Sequence, residues 1–241
     1  MAAITLLQAR GLTRHFGGLR AVDGVDFDLT SGEIHALIGP NGAGKTTFVG
    51  LLCGRVDAQS GTIIFDGKDI THLPPHARVA RGIAYTFQIT SIYARLSVFD
   101  NVALAVQRRS ARDLRRETIA ALARVGLDDL AAQIAGTLAY GHQRLLEIAM
   151  GLAMKPRLLI LDEPTQGLAN AEIEAFKTLI QGLIPQTTIL LIEHNMDVVM
   201  DMADRITVLN DGRLLAKGTP AEIRANAAVQ AAYLGADHAA R

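Results

Sequence analysis

Residues 39 to 47 read GPNGAGKTT, a glycine-rich loop that carries one lysine and two hydroxyls. Gly39, Pro40, Asn41, Gly42, Ala43, Gly44, Lys45, Thr46 and Thr47 follow the strand-like EIHALI and lead into the helix-like TTFVGLLCG. The pattern G-x-x-x-x-G-K-[ST] therefore stands in the strand-loop-helix setting it requires. The chemistry open to it is the holding of phosphates. Glycine at 39, 42 and 44 lets backbone N–H groups converge on phosphate oxygens with no Cβ in the way, and the helix that follows adds its positive end. Lys45 supplies a mobile cation for the β and γ phosphates, and Thr46 a hydroxyl for Mg2+.

A second group of residues suits the metal and the water. RLLILDEP, residues 157 to 164, ends an apolar strand on adjacent acids, where an α/β sheet presents its chemistry. Alone, such a pair is an ordinary solvated turn. Beside a phosphate-binding loop, Asp162 is placed to bind Mg2+ through a water and Glu163 to act as general base on the attacking water.

These residues need elements to position them. Residues 4 to 10, 21 to 30 and 33 to 38 read as strands, and IIFDGKDI as a hairpin whose Asp66-Gly67 pair suits positive φ angles. From Val98 to Ala132 the pattern turns helical. The runs LLILD and TTILLIEH are apolar without alternation, as in strands covered on both faces. The layout is an α/β core interrupted by a helical insert. Thr219, Pro220 and Glu222 predict a capping box for a helix through about Tyr233.

Composition narrows the function classes. Lys plus Arg and Asp plus Glu both number 24, so no global field gathers nucleic acid. The single cysteine, Cys53, sits in an apolar run and reads as a buried thiol. The seven histidines show no metal-ligand spacing. The start, MAAITLLQARGL, has no basic stretch leading into a long apolar one, and no segment approaches the roughly 20 apolar residues that span a bilayer. The expectation is a cytoplasmic chain that reaches a membrane only through a partner.

The order of phosphate loop, Gln88, LAYGHQ, LLILDE and His194 resembles the nucleotide-binding subunit of an ABC transporter over essentially the whole chain. The resemblance implies a P-loop NTPase (RecA-like) core with an antiparallel β subdomain and an inserted α-helical subdomain. Residues 1–88 and 155–241 would form the core and 89–154 the helical part carrying the signature. It implies ATP and Mg2+ as ligands, with Phe16 stacking on adenine, Gln88 touching Mg2+ and the attacking water, and His194 touching the γ-phosphate. Taken alone, Phe16 would be core and His194 structural. Where the family signature reads L-S-G-G-Q, this chain has Leu138, Ala139, Tyr140, Gly141 and His142. The resemblance turns Ala139, Tyr140, Gly141 and His142 toward the γ-phosphate held by a second subunit, with a helix beginning near His142 aiming its positive end there and Gly141 keeping the approach open. The turn after Glu163 reads Gly167, Leu168, Ala169, Asn170 in place of a GLDP-like sequence, which leaves Asn170 to bond across the pair.

Within that superfamily, LAYGHQ, LLIEHNMDVVM and GTPAEIRANAAVQAAYLG are most similar to ATPases of branched-chain amino acid importers. HLPPHARVARGI and RLSVFDNV also resemble the ATPase of lipopolysaccharide export. The implied partners are a second ATPase, identical or similar, and integral-membrane permeases; the apolar Ile89, Ile92 and Tyr93 beside Gln88 are the expected docking contacts for a cytosolic permease helix. A periplasmic binding protein would act indirectly, and no nucleic acid takes part. The implied location is the inner face of the cell membrane. A soluble ABC ATPase and a switch that binds without turnover are the other classes. Substrate and direction belong to the permease.

Overall fold

Two long strands open the chain in the computed structural model, which describes residues 4–86, 91–109 and 112–238. In chain order the elements begin β1 (Thr5–Phe16), β2 (Leu19–Thr30), β3 (Ile34–Ile38), α1 (Lys45–Cys53), β4 (Ser60–Phe65), β5 (Lys68–Asp69), α2 (Pro75–Ala80) and β6 (Ile83–Tyr85). There follow α3 (Val98–Arg109), α4 (Leu114–Ala123), α5 (Tyr140–Ala153), β7 (Leu158–Asp162) and α6 (Asn170–Gln181). The chain closes with β8 (Thr188–Ile192), α7 (Met196–Met202), β9 (Arg205–Asn210), β10 (Arg213–Gly218), α8 (Pro220–Ala225) and α9 (Ala227–His238). The fold is α/β. It divides into two compact units, Met1–Arg81 with Thr188–Arg241, and Gly82–Thr187.

In the first unit an antiparallel sheet runs in the order β2-β1-β4-β5. β1 extends to Phe16, well past the residue 10 at which its apolar alternation ends. Its pairing with β2 is irregular between Ala9 and Leu12 and again between Leu12 and Arg14. A bulge shifts the side-chain parity, so one continuous strand stops reading as one. The tight turn after β4 has Asp66 at φ 50° and Gly67 at φ 71°, the positive angles its sequence predicted.

β3 lies parallel to both β8 and β9, and β10 pairs antiparallel with β9. β3 and β8 are buried along their whole length, which is why their sequences do not alternate. Ala36 and Ile38 of β3 pack with Val199, Val208, Ile223 and Val229 from α7, β9, α8 and α9. The capping box forms, with Thr219 and Glu222 exchanging bonds, but the helix ends at Ala225 instead of running through Tyr233. The Asn226 side chain there accepts the N–H groups of Ala228 and Val229 and starts α9 as a separate helix.

His35 and Arg78 are among the polar side chains buried in this unit. His35, fully buried on β3, bonds Glu33 at 3.0 Å and Thr207 at 2.8 Å and meets Phe27 edge-on. Burial pushes its imidazole below the usual range against the pull of Glu33. Burial also pulls the Glu33 carboxyl upward, but bonds from His35 and Thr30 outweigh it and hold the group below its ordinary value. The Arg78 guanidinium donates to the carbonyls of Leu51 and Leu52 at the end of α1 and to those of Thr71 and Leu73. It adds side-chain donors to the carbonyl end of α1, where the Gly54 N–H also reaches the Leu51 carbonyl at 3.2 Å. Cys53 is buried, as its setting predicted.

In the second unit β6 and β7 are parallel, with Tyr85 opposite Ile160, and α3, α4 and α5 pack on one another. The long helical pattern from Val98 is two helices and a short 3-10 turn at Asp128–Leu130. Among the described residues no helix is long and apolar enough to cross a membrane.

Candidate functional site

The glycine-rich loop leaves β3 at Ile38 and enters α1 at Lys45. Its glycines meet different surroundings. A Cβ on Gly39 would stand 2.2 Å from the carbonyl oxygen of Leu209, and one on Gly44 would stand 2.1 Å from that of Ala21. Both glycines are required by the chain's own backbone. Gly42, at φ 80°, meets nothing within 4 Å and is the glycine that faces open space. Asn41, Gly42 and Thr46 are exposed while Ala43 is buried. The Lys45 ammonium donates to the carbonyls of Gly39 at 2.7 Å and Pro40 at 3.0 Å, so the cation lies across its own loop.

Phe16 ends β1 with 45% of its surface exposed, more than a core residue shows. The Arg14 guanidinium sits 4.7 Å from its ring centroid and donates to the carbonyl of Asp57, which fixes one face of the ring. Nearby, Asp23 accepts from Arg213 and lies within reach of Arg20 and His15. The Arg213 bond chiefly holds its carboxyl below the usual range.

His194 follows β8 with an exposed imidazole. Its position is set by Glu193, whose buried carboxylate accepts the N–H groups of His194 at 2.9 Å and Asn195 at 3.1 Å. Asn195 in turn caps α7 through the N–H groups of Asp197 and Val198.

In the second unit β7 delivers Asp162 nearly buried and Glu163 half-buried. Glu163 adopts φ 48°, a left-handed conformation uncommon for a residue with a side chain. Held strain of this kind clusters at functional sites and costs about 1–3 kcal/mol. The Tyr85 hydroxyl donates to Oδ2 of Asp162 at 2.6 Å.

The signature helix α5 begins at Tyr140, two residues ahead of the expected start, so Gly141 lies inside its first turn. Three contacts seat this turn on the segment after β7. Gly167 approaches the Tyr140 ring so closely that a Cβ there would lie 3.1 Å from Cε1. A Cβ on Gly141 would lie 2.2 Å from Oε1 of Glu172. The Arg144 guanidinium reaches the Glu163 carbonyl at 3.5 Å and pairs with Glu147 at 3.1 Å, with 4% and 7% of the two side chains exposed. Gly141 is thus explained within one chain, by the close passage of α6. Ala139 caps α5 with no side-chain bond, and His142 is exposed. Asn170 is the first residue of α6, and Glu172 accepts the N–H of Ala169 ahead of it.

Gln88 and Ile89 lie outside the described residues. Ile92 is half-buried and Tyr93 is 58% exposed, its backbone gripped at N–H and carbonyl by the buried Asn101. Sequence reasoning missed Tyr85, Arg144, Glu172 and Glu193. Only Glu193, a charge inside an otherwise apolar run, left a visible signal.

The donors suit the groups expected of them. Thr46 offers a hydroxyl and Asp162 a carboxylate, hard oxygen donors of the kind Mg2+ takes with water and substrate phosphate. Among the described residues no cluster of three or more His, Cys, Asp or Glu side chains forms a separate metal site.

The family model described as ABC transporter matches residues 22–166. A second, described as branched-chain amino acid ATP-binding cassette transporter, matches residues 213–239. The chain is 40% identical to the high-affinity branched-chain amino acid transport ATP-binding protein BraF of Pseudomonas aeruginosa, covering 95% of this chain and 98% of that one. It is 37% identical to the lipopolysaccharide export system ATP-binding protein LptB of Escherichia coli over 96% and 98%. Among solved structures it is similar to the ADP conformation of MJ1267, an ATP-binding cassette of an ABC transporter, with a TM-score of 0.87, 26% identity and coverage of 96% and 99%.

Proposed function

The chain belongs to the ABC transporter family as an ATP-hydrolysing subunit, and from that premise we propose that it energises the import of branched-chain amino acids. The observation that carries the importer class is the match of residues 213–239, β10 to α9, to the branched-chain amino acid family model. Overall identity does not separate the importer from the lipid exporter, since BraF at 40% and LptB at 37% are nearly equally similar over almost the whole chain.

The residues divide the work as follows. Residues 39 to 47 cradle the triphosphate, Lys45 exchanges its bonds to Gly39 and Pro40 for phosphate oxygens, and Phe16 offers its open face to adenine. Thr46, Asp162 and Gln88 would hold Mg2+, which neutralises charge on the phosphate oxygens when bound. A Glu163 carboxylate oxygen takes the proton of the attacking water, and His194 bonds the γ-phosphate. Ala139 to His142 present the first turn of α5, with its free N–H groups, to the γ-phosphate held by a second subunit, identical or similar. Two subunits close on two ATP molecules, and hydrolysis removes the bridge. Ile92 and Tyr93, with the neighbouring Ile89, receive a cytoplasmic helix of the permease, and residues 89–154 carry the motion to it.

Glu163→Gln tests the motor. The expected result is loss of phosphate release with ATP-dependent dimerisation retained; an unchanged rate removes the assigned base. The cargo is tested in proteoliposomes with the cognate permease: a periplasmic binding protein loaded with leucine, isoleucine or valine should stimulate hydrolysis and drive uptake. Stimulation by a lipid extracted from the bilayer instead would favour the second reading, export of the lipopolysaccharide type, which the likeness to LptB supports.

A further inference from the structure

Tyr85 has no part in the roles above, yet its hydroxyl donates directly to the Asp162 carboxylate. Parallel pairing sets Tyr85 opposite Ile160. Side chains two apart on a strand share a face, so Asp162 lies on the face of Tyr85, one step along the neighbouring strand. A diagonal of this kind is within reach of an aromatic side chain. The phenol closes it at 2.6 Å on Oδ2 of a carboxylate that is 7% exposed.

A carboxylate at a strand end rotates about a broad, roughly twofold torsion. A donor on one oxygen removes that freedom and supplies a partner for a charge taken out of water. It also draws some negative charge away from the metal. The balance favours tighter metal binding, because outer partners that orient a ligand commonly change metal affinity by about 10–100-fold when removed.

We propose that Tyr85 is a positioning residue that orients Asp162 toward Mg2+ and thereby sets how strongly the metal tightens nucleotide binding. The proposal rests on Asp162 being the metal-binding carboxylate.

The test is the affinity of the purified chain for a fluorescent, non-hydrolysable ATP analogue, measured with Mg2+ and again with EDTA. The ratio of the two affinities isolates the metal. Tyr85→Phe keeps the ring and should lower the ratio by about tenfold, with the EDTA affinity at its wild-type value. A loss of fold would weaken both arms together, so an equal change in both, or no change in either, overturns the role of Tyr85. Asp162→Asn should lower the ratio further, and adding Tyr85→Phe to it should change nothing more; an independent further loss also overturns the proposal. If Asp162→Asn leaves the ratio at wild type, or the wild type shows no metal effect, it is the reading of Asp162 that fails, and the proposal fails with it.

Discussion

Oε1 of Glu172 occupies the place where a side chain on Gly141 would begin, 2.2 Å from the missing Cβ. The other carboxylate oxygen accepts the Ala169 N–H at 2.8 Å and so caps α6. Gly141→Ala must push that carboxylate away. The loss of the cap costs about 0.5–2 kcal/mol, against about 1 kcal/mol that alanine gains over glycine inside a helix. In the wild-type background the substitution should be neutral to destabilising. In a Glu172→Ala background, where neither clash nor cap remains, it should stabilise by up to about 1 kcal/mol. Urea unfolding of the four proteins gives the sign, and the same cost in both backgrounds would refute the contact.

Arg144 and Glu147 form their ion pair almost out of water. Arg144→Ala removes the cationic partner of a buried carboxylate and should destabilise the chain by about 3–5 kcal/mol. Arg144→Met with Glu147→Leu removes both charges and should recover most of that loss. Thermal unfolding compares them, and a single variant no worse than the double would show that the pair does not carry the burial cost.

Much of this was legible in the sequence. The phosphate loop announces itself because glycine, lysine and threonine must stand at fixed spacing, and β3, β7 and β8 because strands covered on both faces are apolar throughout. Two kinds of feature stayed hidden. The full length of β1 was masked by bulges that reset its alternation. The seating of α5 was masked because Tyr140, Gly141 and Arg144 are matched to Gly167, Glu172 and Glu163, residues distant in sequence whose approach no local pattern encodes. The signature therefore read as shaped for a ligand when part of its composition answers to α6.

His35 and Glu33 make stability depend on pH. With its folded value depressed, His35 stays neutral where the unfolded chain already takes up a proton. Its contribution is complete above the ordinary value of 6.5 and is lost as pH falls below it. The slope is at most about 1.4 kcal/mol per pH unit for one proton. Glu33, also held low, acts in the same sense below its ordinary 4.5. His35→Gln retains an amide for Glu33 and Thr207 but cannot titrate. Urea midpoints should then stop falling between about pH 6.5 and pH 5 while the lower limb persists. A variant that keeps the upper limb would assign it to another group.

Gly42 and Gly44 separate the loop's two duties. Gly44 sits at φ 97° with the Ala21 carbonyl oxygen 2.1 Å from where a Cβ would be, and neither backbone can yield cheaply. Gly44→Ala should therefore cost about 3 kcal/mol or more in stability, with nucleotide binding lost as a consequence. Gly42, at φ 80°, has open space, so Gly42→Ala pays only the left-handed conformation, about 1–2 kcal/mol. Its methyl group would stand on the exposed side of the loop, where phosphate oxygens are expected. The variant should stay folded and still bind ATP at least tenfold more weakly, about 1.4 kcal/mol. Thermal unfolding beside an ATP titration distinguishes the two effects. Full affinity in folded Gly42→Ala protein would mean that the triphosphate does not approach the loop from that side.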